Sequence, residues 1–528
     1  MSRIKLPQLT FWRVVLVIIL IAGLYSTVIR FTRGLGASTA LSDQFPWGLW
    51  IGFDVLCGVA LAAGGFTLSA VVYIFHVERF RPIVRPAILT AFLGYLLVIV
   101  ALIYDLGKPY NIWHPLVMWN TRSVMFEVAW CVMLYTLVLA LEFSPMVFER
   151  WQLQKPLKII HALTIPLVIV GVILSMLHQS SLGSLFLIVP HKLHALWYSP
   201  LLPVFFFISA VALGCAMTIF ESFLSFRAFG KRLELDLLAD LGKVMVVVLG
   251  VYLVLKGQDL LERGAWELAF EPTYAGRMFL AENLLGIIAP IILLLIARIR
   301  NNDFGLFVSA VMVVLGFIMN RLNVSITGIE ANAGIFYFPS WMEIAVTTMI
   351  VALGFVLFGL AVRYLPVFPM KEQLPAERVV PLPAAALLHP AKRRTAALVL
   401  ALTVILGGSA IALAYSGLQH RSRLMTTTDT PSTQPEAQVV EHSLQLPADK
   451  EFPQHEDSPG PVTFSHTTHV DPTQPSCTVC HARTFRIIET HQAPLSVNMH
   501  DRQACGLCHD GERAFSINDG CTTCHRLP

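Results

Sequence analysis

Three copies of Cys-x-x-Cys-His stand near the C-terminus: Cys477-Thr478-Val479-Cys480-His481, Cys505-Gly506-Leu507-Cys508-His509 and Cys521-Thr522-Thr523-Cys524-His525. In this spacing two thiols can add across the two vinyl groups of a haem while the adjacent imidazole becomes an axial ligand of its iron. One copy could be a thiol redox pair or half of a zinc site. Three copies that consume every cysteine after residue 476 point to three covalently held haem c groups. A six-coordinate iron needs a second ligand, and His466, His469, His491 and His500 are at hand, with Met499 as a rival. A segment this short buries little apolar side-chain area, so the haems themselves would form its core.

A second set of chemically capable residues lies in apolar surroundings. Asp54, Asp105, Glu127 and His178 each fall near the end of an apolar run, where an ionisable group is costly and therefore a candidate for function. A quinone needs an apolar slot, a hydrogen-bonding group at each carbonyl and a group that exchanges protons as electrons move. These four residues could supply them. The competing reading is a set of helix-end residues facing interfacial water, and for Asp105, beside Gly107, Lys108 and Pro109, a turn or cap. Further charges, Asp259, Glu262, Glu282, Arg321 and Glu343 toward the outer ends and Glu142 and Glu221 toward the inner ends, read as internal ion pairs such as Arg321 with Glu343, or else as proton-path residues.

The elements that must hold these groups follow from composition. Of 528 residues, 55% are hydrophobic and 14% charged, with mean hydropathy +0.65. One soluble globular enzyme is excluded, since soluble domains carry about 25% charged residues. The net charge of +4 is small and its Lys and Arg are dispersed, so no nucleic-acid partner is expected. Apolar runs at 11–32, 48–76, 85–104, 122–143, 157–178, 201–226, 241–258, 277–297, 304–320, 341–364 and 395–416 predict about eleven transmembrane helices in an all-α membrane protein. The first run has no small-residue cleavage site and reads as a retained helix.

Placing the N-terminus in the cytoplasm puts Arg79, Arg81 and Arg85, then Arg150, Lys155 and Lys158, then Arg227, Lys231 and Arg232, then Lys392, Arg393 and Arg394 inside. An odd number of spans then sends the C-terminus outside. Haem c is attached on the outer side of the bacterial cytoplasmic membrane, so two arguments agree on a periplasmic cytochrome segment. Residues 418–460, with MTTTDTPSTQPEAQ, are too polar to build a core and read as a flexible periplasmic linker. Intramembrane haem b is not expected: it needs histidines facing each other from different helices, and pairing His76 with His161 is the main conceivable arrangement.

Two resemblances add to this reading. Phe464-Ser465-His466-x-x-His469 ahead of the first haem motif, with His500 just before the second, resembles the small three-haem class III cytochromes. That resemblance implies axial pairs His466 with His481, His469 with His509 and His500 with His525, leaving His491 as a solvated loop histidine or a propionate contact. Phe45-Pro46-Trp47-Gly48, Gly64-Gly65, Arg85-Pro86-Ala87, Tyr104-Asp105-Leu106-Gly107, Phe126-Glu127, Leu141-Glu142-Phe143, Leu177-His178-Gln179-Ser180-Ser181 and Phe338-Pro339-Ser340-Trp341 resemble the NrfD/PsrC-type quinone-interacting subunits, most closely their HybB-like branch. This implies ten spans in two bundles over residues 1–370, no haem in the membrane and a menaquinone site near the periplasmic face.

After residue 370 the chain departs from that pattern. A cytoplasmic loop (371–393), an extra transmembrane helix (394–417), the linker and a small, loop-rich triheme cytochrome c domain (461–528) are expected to follow. The expected function is exchange of electrons between the menaquinone pool and periplasmic redox partners, whether hydrogenase-like, iron-sulfur or molybdopterin proteins or cytochromes. Two alternatives stand beside it: quinol oxidation feeding soluble cytochromes or a terminal reductase, and a non-catalytic anchor for a haem relay. The buried charges speak for catalysis, since an anchor needs none.

Overall fold

A computed structural model describes residues 11–42, 45–229, 234–334, 336–368, 390–428, 449–452, 460–470, 505, 509–511, 514–516 and 525. Eleven helices are long and apolar enough to cross a membrane: α1 (Phe11–Arg33), α2 (Trp50–Ile74), α3 (Glu78–Asp105), α4 (Val124–Arg150), α5 (Gln154–Ser184), α6 (Leu202–Phe229), α7 (Leu235–Glu262), α8 (Tyr274–Leu295), α9 (Asp303–Asn332), α10 (Trp341–Tyr364) and α11, whose crossing part is Leu398–Gln419. Each coincides with one expected apolar run. Helices prevail because lipid offers no partner for a free backbone N–H or C=O. The chain is a multi-pass integral membrane protein. "Outer" and "inner" below follow the charge-based orientation.

The helix starts are set by side chains that accept the first free N–H groups. Ser123 caps α4, Thr273 caps α8 and Asn302 caps α9, while Ser340 and Glu343 form a reciprocal capping box on α10. Stretches of π-helix interrupt the regular ladder at Trp50–Cys57, Ala70–Ile74, Leu284–Ile288 and Asn323–Thr327. Such widened turns are frequent at functional sites, and two of them carry residues of the polar clusters described below.

Helices α2–α5 pack as one four-helix bundle and α6–α9 as a second, with α1 and α10 paired against α3, and α11 lying along α8 and α9. The apolar window of α2 is 83% buried and that of α6 67%, against 17% for α1 and α11. The seam between α2 and α6 is therefore the centre of the molecule, and the flanking helices face lipid. Small residues permit the closest crossings: a Cβ on Gly214 would lie 2.9 Å from the backbone of Ala63 and Gly64, and one on Gly316 would collide with the backbone of Gly286. Replacing Gly316 by valine is expected to force α8 and α9 apart and to cost about 1–3 kcal/mol, visible as a lowered thermal midpoint in detergent.

The last helix differs from expectation at both ends. It runs Pro390–Thr428, beginning inside the residues assigned to the cytoplasmic loop and continuing into those assigned to the linker. Pro390 suits a first helical position, and after Gly417 neither Gly nor Pro occurs until Pro431, so nothing local ends the helix sooner. Residues Thr430–Pro528 form a separate compact unit. In it Lys450–Phe452 pairs antiparallel with Val462–Phe464, and Val462 forms an isolated bridge with His525. The first of these strands also falls among residues expected to be linker.

Candidate functional site

The four intramembrane residues singled out by sequence divide into two groups. Asp54 and Asp105 belong to one, at the outer ends of α2 and α3. Asp54 Oδ2 accepts a hydrogen bond of 2.6 Å from Thr347 Oγ1 of α10, and Asp54 and Asp105 interact electrostatically with each other. Asp105 also feels Arg30 and Glu343. The Arg30 guanidinium, buried on α1, donates 2.6 Å bonds to the carbonyls of Tyr104 and Leu106, capping the C-terminal end of α3. Asp105 Oδ1 is buried and, among the described residues, makes no hydrogen bond.

Glu343 organises the loop above this group. It accepts from Tyr337 Oη, from Ala40 N at 2.9 Å and from Ser340 N at 2.8 Å. Burial, and then the Glu343 carboxylate, push the Tyr337 phenol well above its ordinary pKa, so it remains a donor. The expected ion pair of Arg321 with Glu343 does not form. Arg321 instead stacks 3.6 Å from the ring centre of Phe206 and donates to Ser209 Oγ at 2.6 Å, Asn320 Oδ1 at 3.1 Å and Phe206 O at 3.2 Å. The two residues face different bundles, a separation that helix-end bookkeeping along one chain does not reveal.

His178 and Glu127 make the second group, between α3, α4 and α5. Glu127 Oε1 accepts 2.6 Å from Ser181 Oγ, and Gln179 Nε2 donates to Val59 O of α2 at 3.1 Å. The His178 ring is fully buried, and neither nitrogen has a hydrogen-bond partner among the described residues. Beside it stands Tyr95, ring centres 5.6 Å apart, and behind that Tyr135 at 4.7 Å from Tyr95. An imidazole with both nitrogens unused in a dry bundle has capacity for a carbonyl, hydroxyl or water. Nearby, Trp47 packs edge-on against Phe186, while Trp113, Asn120 and Arg122, between α3 and α4, are exposed.

A third polar cluster lies in the second bundle. Glu282 accepts from Lys256 Nζ at 3.0 Å, Asn320 Nδ2 at 2.9 Å, Asn323 Nδ2 at 2.7 Å and Trp197 Nε1 at 3.2 Å. Asp259 pairs with Arg263 at 2.7 Å and accepts from Ser199 Oγ at 2.7 Å. Here the ion-pair expectation for Asp259 and Glu282 holds. Lys256 was not singled out by the sequence reading, although a lysine inside an apolar run is itself a signal. Arg30, Tyr95, Tyr135 and Ser175 were also missed: the arginine passed as a flanking charge, and single hydroxyls do not interrupt hydropathy.

Of the residues expected to hold haem, His466, His469, Cys505, His509 and His525 are described; Cys477, Cys480, His481, His500, Cys508, Cys521 and Cys524, and the leftover His491, lie outside the described residues. The rings of His469 and His509 stand 6.1 Å apart at 68°. Two imidazoles bound through Nε2 at about 2.0 Å on opposite sides of one metal have ring centres about 6 Å apart. Nδ1 of His469 meets Ser465 O at 2.9 Å, that of His509 meets Phe515 O at 3.2 Å, and that of His525 meets Gly460 O at 2.7 Å. A carbonyl accepts, so each Nδ1 carries the proton and each Nε2 is left to ligate iron. These residues fit haem. The membrane part offers no comparable facing pair among its described residues: His178 is buried, but His76 and His161 are exposed.

Residues 37–333 match the family model "Polysulphide reductase, NrfD". The chain belongs to this NrfD family. Residues 462–526 match "Cytochrome c7 and related cytochrome c", so an NrfD-type membrane part and a cytochrome c7-type segment share one chain. Similar curated proteins include the "Menaquinone reductase, integral membrane subunit" of Nitratidesulfovibrio vulgaris, 30% identical over 71% of this chain and 95% of that protein. The "Probable Ni/Fe-hydrogenase 2 b-type cytochrome subunit" of Escherichia coli is 35% identical over 65% of this chain and 89% of that protein. A selenate reductase subunit of Mesobacillus selenatarsenatis is 27% identical over 68% of this chain and 95% of that protein.

Proposed function

We propose that this chain is the quinone-reactive membrane subunit of a respiratory oxidoreductase, exchanging electrons between menaquinone or menaquinol and redox partners outside the cytoplasmic membrane through three haem c groups. The observation that carries this reading is the union, in one chain, of an NrfD-type bundle holding a buried imidazole, His178, with no hydrogen-bond partner among the described residues, and three Cys-x-x-Cys-His motifs. The named relatives are subunits of redox enzymes, one of them the integral membrane subunit of a menaquinone reductase.

Within that reading His178 hydrogen-bonds a quinone carbonyl or hydroxyl, while Glu127 with Ser181, and Asp54 with Asp105, hold protons at the outer end of the first bundle. The apolar helix faces around them take the ring and tail. The haems, held by the six cysteines and by His481, His509 and His525, with His466, His469 and His500 as second ligands, supply one-electron transfer to proteins beyond the membrane. The N-terminus lies in the cytoplasm and the cytochrome unit in the periplasm.

Purified full-length protein is expected to show three covalent haems per chain by pyridine haemochrome and to have them reduced by a menaquinol analogue, or oxidised by the quinone. Covalent haem with no response to quinol or quinone would leave only a membrane anchor for a haem relay. A fourth, extractable haem would instead require an intramembrane b-type site.

A further inference from the structure

The second bundle encloses a small cavity between α6, α7 and α9. It measures about 20 Å³, and its lining includes Phe206 of α6, Tyr252, Lys256 and Asp259 of α7, and Asn320 and Arg321 of α9. On the same measure a single water needs about 10–15 Å³. The cavity therefore has room for one small particle and none for a quinone ring.

Arg321 sets the character of this space. Its side chain is buried, with the residue 1% exposed. The guanidinium stacks on Phe206, gives Nη1 to Asn320 Oδ1, and gives Nη2 to Ser209 Oγ and Phe206 O. All three acceptors are neutral. Among the described residues no carboxylate forms an ion pair with it, and its Nε–H is buried without an acceptor. Buried donors and buried charges normally find both.

The charges around the cavity do not cancel. Lys256 pairs with Glu282 at 3.0 Å and Arg263 with Asp259 at 2.7 Å, which leaves Arg321 as an unmatched cation. Glu282, whose field reaches Arg321, is already taken up in a knot of hydrogen bonds from Lys256, Asn320, Asn323 and Trp197. Asp259, the acidic residue in the lining, has Oδ1 occupied by Ser199 and Oδ2 by Arg263. An uncompensated cation inside a bundle is costly. One water in the cavity would accept from Nε–H and leave the charge as it is; one monovalent anion would answer both. Lys256 adds attraction on the facing helix, since an ammonium has three N–H groups and the bond to Glu282 uses one of them.

We infer that this cavity is a halide site, holding one chloride ion between Arg321 and Lys256. Its size rejects carboxylates, phosphate and sulfate, and its unmatched positive charge selects an anion over water. Arg321 is already joined to α6 through Phe206 and Ser209, so an ion shared with Lys256 ties α6, α7 and α9 together and stabilises the second bundle. Arg263, which lines the cavity just past the outer end of α7 and is partly exposed, marks the side from which the ion enters. Nothing in this site depends on what binds at His178.

The test uses the full-length haem-loaded protein in detergent, with sodium chloride exchanged for sodium gluconate at constant ionic strength. Chloride is expected to raise the thermal midpoint by about 2 °C or more for each tenfold rise above its dissociation constant, bromide to substitute for it, and gluconate, too large for the cavity, to have no effect. Equilibrium dialysis with labelled chloride is expected to show one saturable ion per chain. Arg321→Gln, which removes the charge, should abolish the chloride dependence. Val324→Leu, which fills the cavity from an apolar lining position and removes no charge, carries the same comparison should Arg321→Gln not fold. A wild-type midpoint indifferent to chloride, with no saturable binding, would mean that the cavity holds water only and would overturn the site. A chloride dependence that gluconate reproduces, or that persists unchanged in the variants, would overturn it equally.

Discussion

Replacing His178 by alanine is expected to slow electron exchange between a menaquinol analogue and the haems by about 10²-fold or more, the range of a lost acid–base group. Haem content and the optical spectrum of the cytochrome unit should be unchanged, because the haem ligands belong to a separate compact unit. Stability should fall only by the cavity that the fully buried ring leaves, because neither His178 nitrogen has a hydrogen-bond partner among the described residues and no network is broken. Stopped-flow haem reduction and a thermal unfolding scan together check this. A His178→Ala protein that reacts with quinol at the wild-type rate would remove His178 from the site. The quinone would then have to be sought at the Asp54, Asp105 and Arg30 cluster.

The second large effect is on stability. Glu282→Ala would leave the Lys256 ammonium, the Asn320 and Asn323 amides and the Trp197 indole N–H without their shared acceptor inside the second bundle. Removing one partner of a buried ion pair costs about 3–5 kcal/mol, because the other charge is left uncompensated. The expected result is a sharp loss of folded protein in the membrane fraction and a lowered thermal midpoint for what remains. The double variant Lys256→Met, Glu282→Leu removes both charges and should recover much of that loss. A double variant as damaged as the sum of its singles would show that the two residues act independently.

The knot on Glu282 shows what chain order leaves undetermined. Lys256, Glu282 and Asn320 sit on α7, α8 and α9, and nothing in their spacing along the chain says which helix faces bring them together. The Arg321 and Glu343 pairing expected from their shared outer position failed for that reason: each found nearer donors or acceptors on its own side of the molecule. Asp54, Asp105, Glu127 and His178 were all legible as costly charges, but depth in the membrane is one coordinate, and their division into two groups depends on rotation about each helix axis.

What sequence alone determined was whatever depends on composition over short windows or on covalent spacing. Eleven apolar runs became eleven helices because in lipid the backbone has no other way to satisfy its polar groups. Three Cys-x-x-Cys-His motifs marked a cytochrome segment because thioether attachment needs two thiols and an imidazole at fixed separation. The tertiary structure decided which buried polar groups are locked and which are free to act. That difference lies in how many partners reach an atom, and partners arrive from other helices: five N–H···O contacts converge on Glu282, and none reaches either nitrogen of His178 among the described residues.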